Sequence, residues 1–167
     1  MPGNRDFLIE QAFLKQAEVT LLPDPSVVCL KGIRIFLTHG DAYCLHDKAH
    51  QWLRKISRPR LLKKMFLAFP RRIRARIVTK VRRLSHNKKM MHPINSFKYQ
   101  LVKSKLYADM HKYGVMSVIY GHIHRPGTQQ TSWNQMFMKE YVLSDWDDDP
   151  HIICYNLQEG LNLVKFS

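Results

Sequence analysis

Val115-Met116-Ser117-Val118-Ile119-Tyr120-Gly121-His122-Ile123-His124 is the stretch on which the fold of this chain turns. Its first six residues are mostly apolar and read as a buried strand, and two histidines one residue apart follow at once. In α/β proteins the chemistry gathers just past the carboxyl ends of strands. Alternate residues on an extended segment point the same way, so His122 and His124 are expected to face one metal cluster. Ile33-Arg34-Ile35-Phe36-Leu37-Thr38 repeats the design and runs into His39-Gly40-Asp41. A third block, Gly3-Asn4-Arg5-Asp6, offers an amide oxygen and a guanidinium at a turn. Imidazole, amide and carboxylate together suit a hard or borderline metal bound beside a phosphate.

Working outward, residues 27–30 and 33–38 read as a hairpin turning at Lys31-Gly32. Residues 7–16 read as a short helix, 39–47 as a loop and 48–56 as a helix. Pro59 and Pro70 bracket another helix, with Leu61, Leu62, Met65, Phe66 and Phe69 on one face. Residues 71–84 form a third helix with Ile73, Ile77, Val81 and Leu84 as its stripe. A fourth spans about 95–113, with Tyr99, Val102, Leu106, Met110 and Tyr113 inward and Gly114 placed to end it. Strand-like runs at 136–143, 151–155 and 161–166 close the chain. The order suits an α/β sandwich: a core of 1–47 and 114–167, interrupted by a helical cap at 48–113.

Charge divides the chain in the same way. The net charge is +14, yet residues 48–108 hold 19 Lys or Arg and no Asp or Glu, against 8 and 13 elsewhere. Such an insert calls for an anionic partner: a phosphorylated substrate, an acidic lipid surface or nucleic acid. No zinc-finger, helix-turn-helix or RNA-binding signature accompanies it, so nucleic acid is not the expected partner. Met65-Phe66-Leu67-Ala68-Phe69 is too short to cross a bilayer. Arg5, Asp6 and Glu10 break any signal-peptide core, and a cytoplasmic location is expected. Cys29, Cys44 and Cys154 form neither a zinc motif nor a disulfide framework.

The blocks Gly3-Asn4-Arg5-Asp6-Phe7, His39-Gly40-Asp41 and Gly121-His122-Ile123-His124-Arg125-Pro126, in this order, resemble the calcineurin-like metallophosphoesterases. Within them the chain looks like the UDP-2,3-diacylglucosamine diphosphatases of lipid A biosynthesis in Gram-negative bacteria. Val142-Leu143-Ser144-Asp145-Trp146 is similar to that family's VLGDW, with serine for glycine. The family pattern opens with D-x-H and GD segments well ahead of the Gly-Asn block. The resemblance therefore implies that Met1 is an internal methionine, that those segments lie outside these 167 residues, and that the sandwich is incomplete, with apolar strand edges uncovered.

The resemblance implies further roles. Asn4, His39, His122 and His124 would be metal ligands, for two Mn2+ in the intact family, with Asp41 supporting His39 or its loop. Asn4, Arg5, Asp47, Ser85, Lys89, His92 and His122 would contact the substrate, with Lys88 as an alternative to Lys89. The reaction would be hydrolysis of the pyrophosphate bond of UDP-2,3-diacylglucosamine by a two-metal-activated hydroxide, giving UMP and 2,3-diacylglucosamine 1-phosphate. Four neutral ligands without the carboxylates of D-x-H and GD should hold Mn2+ poorly, so the chain as it stands is expected to be impaired or inactive. The cap helices either pack on each other or carry acyl chains, with Phe66, Phe69, Ile73, Ile77 and Val81 as the wall. In the second case the basic rim rests on the anionic cytoplasmic face of the inner membrane. Another calcineurin-like phosphoesterase, or a non-catalytic basic nucleic-acid-binding fragment, are the alternative readings.

Overall fold

The computed structural model describes residues 1–3, 9, 11–57, 59–91, 100–146 and 150–166, with the backbone alone at 11, 57, 60, 82 and 85–91. The structure is α/β, and the chain divides into two compact units: Met1–Tyr43 with Leu101–Ser167, and Cys44–Gln100.

In the first unit, after a short helix α1 (Gln11–Gln16), β1 (Ser26–Leu30) and β2 (Ile33–Thr38) form the expected antiparallel hairpin. Lys31 and Gly32 both take positive φ, 49° and 83°. That turn form matches the twist of the strands it joins. β2 then pairs in parallel with β3 (Ser117–Tyr120), and β3 in parallel with β5 (Met136–Val142). β4 (Gly127–Trp133) returns antiparallel along β5, giving the order β1-β2-β3-β5-β4. β4 is not foreseeable from periodicity, because Gly-Thr-Gln-Gln-Thr-Ser-Trp has no apolar alternation. Its register is set by the turn at Asn134 and Gln135, again both at positive φ.

Strand alternation sends side chains to the two faces of this sheet. On one face Phe36, Val118, Met138 and Val142 form a core with Leu106, Tyr107 and Met110 of α5 (Lys103–Lys112). On the other, Ile35 and Tyr141 pack with Leu161 of β7 (Gly160–Lys165), which pairs with β6 (His151–Asn156) in a separate two-stranded sheet. The Tyr141 hydroxyl donates to the Leu161 carbonyl at 2.9 Å.

α5 is shorter than expected. It begins at Lys103, after an extended Val102, while residues 95–99 lie outside those described. Its inward residues are Leu106, Tyr107 and Met110; Tyr113 is the C-cap and stays 48% exposed. The C-terminus closes as Gly114 predicts: at φ 61° its N–H donates to the His111 carbonyl at 2.9 Å, and the Val115 N–H to the Met110 carbonyl at 3.1 Å. Because α5 fills a face of the sheet, residues 101–113 belong to the first unit rather than to the insert.

The second unit holds α2 (Lys48–Ser57), α3 (Arg60–Ala68) and α4 (Arg71–Met91). Phe69, forced extended by the proline that follows it, ends α3. The Pro70 carbonyl then accepts from the N–H groups of Ile73 and Arg74 as α4 starts. α4 runs on to Met91 where an end at 84 was expected. Among the described residues of this unit only Cys44 is buried, while Trp52, Leu61, Met65, Phe69 and Leu84 are exposed. No helix among the described residues is long and apolar enough to cross a membrane.

Candidate functional site

β2 and β3 are parallel neighbours, so their carboxyl ends lie side by side. His39 follows the first and His122 the second, and their rings meet edge to face with centroids 5.2 Å apart. The backbone stays paired past the strand ends: the Gly121 N–H donates to the His39 carbonyl at 3.3 Å, and the Leu143 N–H to the Tyr120 carbonyl at 2.8 Å. Gly40 allows this approach. Its φ is 102°, and a Cβ there would stand 3.2 Å from the Gly121 carbonyl oxygen and 3.4 Å from the His122 Cβ.

His122 and His124 do not lie on an extended segment. His122 is the middle residue of a γ-turn, at φ 68°, with the Ile123 N–H donating to the Gly121 carbonyl at 2.8 Å. His124 is also left-handed, at φ 51°. The extended backbone expected there is thus replaced by left-handed residues, and period-two alternation does not set their direction. His124 instead sets its Nδ1 2.7 Å from Oδ2 of Asp145, just past the end of β5.

A carboxylate with no distinctive sequence signal fixes the His39 loop. Asp24 Oδ1 accepts from the Thr38 hydroxyl at 2.7 Å and from the His39 N–H at 3.2 Å, and Thr38 Oγ1 in turn accepts from the Gly40 N–H at 3.2 Å. Pro23-Asp24-Pro25 reads as a plain loop in sequence, and only the β1–β2 hairpin carries it to His39. Asp41 is 1% exposed and opens a short 3-10 turn, Asp41–Tyr43. Burial, then the charges of Asp109 and Asp24, push the Tyr43 phenol up. Burial also pushes the Asp109 carboxyl up, but Lys105 at 2.8 Å and Lys112 at 3.4 Å outweigh it and hold Asp109 below the ordinary range.

A second unforeseen group is Glu140 on β5, completely buried. It accepts from the hydroxyls of Tyr107 on α5 and Tyr120 on β3, the latter at 2.8 Å, and pairs with Lys103 at 3.0 Å. Lys103 also donates to Gln129 of β4 at 2.6 Å. Burial and the bond to Glu140 push the Tyr107 phenol up to about 12. Since Tyr120 directly precedes Gly121-His122, this network anchors the strand that delivers His122. The available signal was one acid inside the apolar run Met136-Phe137-Met138-Lys139-Glu140-Tyr141-Val142.

Asp47 caps α2, its Oδ1 accepting from the His50 N–H at 3.0 Å. Ser85 and Lys89 lie on α4, where only the backbone is described, and Asn4, Arg5 and His92 lie outside the described residues. Ser144 accepts from the His151 N–H at 2.7 Å and so tethers the start of β6. Among the described residues no group of three or more His, Cys, Asp or Glu could hold a metal ion. The paired imidazoles of His39 and His122 are donors of the type a borderline divalent ion takes.

The chain matches no family model. Among curated proteins it is similar to the UDP-2,3-diacylglucosamine hydrolase of Neisseria meningitidis serogroup C / serotype 2a, 37% identical over 147 residues, which covers 88% of this chain and 59% of the relative. The protein of the same name from Ralstonia nicotianae is 37% identical over 171 residues, covering 96% and 62%. The one from Pseudomonas fluorescens SBW25 is 36% identical over 166 residues, covering 99% and 66%. The chain thus spans about six tenths of the length of the curated relatives it matches.

Proposed function

Because this chain belongs to the same family as the UDP-2,3-diacylglucosamine hydrolases, we propose that it carries part of the site that hydrolyses the pyrophosphate bond of UDP-2,3-diacylglucosamine in lipid A biosynthesis. The observation that supports this most is the imidazole pair of His39 and His122 at the ends of adjacent parallel strands. In this reading His39, His122, His124 and Asn4 hold Mn2+. A divalent ion in such a site supplies Lewis acidity toward phosphate oxygens and acidifies a water. The chain's own residues position and neutralise. The Asp24–Thr38 clasp fixes His39, the γ-turn aims His122, and Arg5 offers a fork of donors to a phosphate. Asp47, Ser85, Lys89 and His92 contact the nucleotide-sugar diphosphate in the same reading, and Asp41 supports the His39 loop.

The exposed apolar residues of the second unit and the acid-free basic stretch 48–108 support contact with acyl chains and with an anionic membrane surface, on the cytoplasmic face of the inner membrane. Vesicles containing phosphatidylglycerol should then retain the chain at low salt and release it as salt rises, while neutral phosphatidylcholine vesicles retain little. DNA binding of comparable strength with no vesicle binding would replace the membrane reading with the nucleic-acid one.

The activity test is UMP release from UDP-2,3-diacylglucosamine with Mn2+. It compares the 167-residue chain with the same chain extended by the preceding part of the Neisseria relative. The extended protein should turn over, the chain alone should show little activity, and His122→Ala in the extended protein should abolish it. Turnover by the chain alone at the rate of a full relative would sink the account of its ligands.

A further inference from the structure

Three parallel strands end at the site, and each delivers a different group: β2 brings His39, β3 leads to His122 and His124, and β5 leads to Asp145. The first two histidine rings face each other, whereas His124 is held by the third strand's carboxylate. A carboxylate has only acceptor oxygens. At 2.7 Å from Oδ2, the His124 Nδ1 must therefore carry the hydrogen of that bond. A neutral ring so bonded keeps its lone pair on Nε2, and only there can it ligate a metal ion.

We infer that Asp145 is a positioning residue. It holds His124 in the Nδ1–H tautomer and presents Nε2 to a divalent cation. This deepens the reading of His124 as a metal-facing residue and rests on it. The pair is half exposed, with side chains 47% and 42% accessible, so water competes for both partners and the carboxylate is not needed to fill a core. The left-handed backbone at His124 makes the device necessary. At φ 51° the ring leaves the strand's alternation, and β3 alone no longer sets its direction. Leu143, hydrogen-bonded to Tyr120, keeps the end of β5 in register with the end of β3 and so brings Asp145 into reach.

The test starts with the metal-free 167-residue chain, 15N-labelled at histidine, its His124 signals assigned by loss in His124→Gln. Long-range 15N spectra at neutral to mildly alkaline pH should show His124 as the Nδ1–H tautomer. In Asp145→Asn and Asp145→Ala the signals should move toward the Nε2–H form, while Asp145→Glu should restore them at least in part. Unchanged His39 and His122 signals and an unchanged melting temperature confirm that each variant is folded. Titration with Mn2+ of the chain extended by the preceding part of the Neisseria relative should then show affinity falling roughly 10- to 100-fold in Asp145→Asn, the usual scale for losing a partner of this kind. A tautomer already mixed in the unaltered chain, or unmoved by Asp145→Ala, overturns the inference. A locked tautomer in an extended chain that binds no Mn2+ supports the pairing and overturns the metal reading instead.

Discussion

At the scale of single residues, the carboxylates missed in sequence do most of the positioning. Asp24 serves two donors at once, so Asp24→Ala leaves the Thr38 hydroxyl and the His39 N–H without that acceptor. The expected loss is about 1–3 kcal/mol in urea unfolding, the scale of orphaning partly buried polar groups. Tyr107 makes a pH prediction. Its folded pKa, pushed up to about 12, lies above the ordinary value of 10.0. The hydroxyl's contribution is therefore complete below pH 10 and is lost as pH rises toward 12. That loss amounts to something on the order of 2 kcal/mol. Melting temperatures followed over that range should fall less steeply in Tyr107→Phe than in the unaltered chain. The sequence showed His39 and His122 clearly, because each follows an apolar strand. It hid Asp24 and Glu140, because one sits between prolines and the other inside a strand. Their partners come from elements 14 to 37 residues away.

At the scale of elements, legibility followed the strength of local chemistry. The β1–β2 hairpin and the end of α5 were readable because Lys31-Gly32 and Gly114 meet specific backbone demands at positive φ. β4 was not, since an edge strand of Thr, Gln and Ser needs no apolar face and takes its place from β5. The start of α5 was misjudged because the apolar spacing of Tyr99, Val102 and Leu106 continues through an extended Val102. Leu106 shows what α5 contributes once formed. It is fully buried between the helix and the sheet, and Leu106→Ala should cost about 2–5 kcal/mol. Thermal or urea unfolding of the variant checks this. A loss under about 1 kcal/mol would mean that α5 is not part of the cooperative core.

At the scale of the whole molecule, charge and chain contacts draw neighbouring boundaries. The segment without acids, 48–108, and the second unit, Cys44–Gln100, largely coincide. The boundary differs at the far end because α5, basic on its outside, packs its apolar side on the sheet. Where the chain leaves and re-enters the first unit, the Val102 N–H donates to the Tyr43 carbonyl at 2.8 Å. The two ends of the insert are thus already tied together at its root. Replacing residues 44–100 by Gly-Gly-Ser should shorten the loop at a gain of roughly 2–3 kcal/mol in closure entropy. The remainder should still unfold in one cooperative step. In the language of descent, a segment whose flanks already meet is a module that can lengthen or shorten without renegotiating the strands on either side of it. Selection on the insert and selection on the strand ends that carry His39 and His122 can then proceed separately.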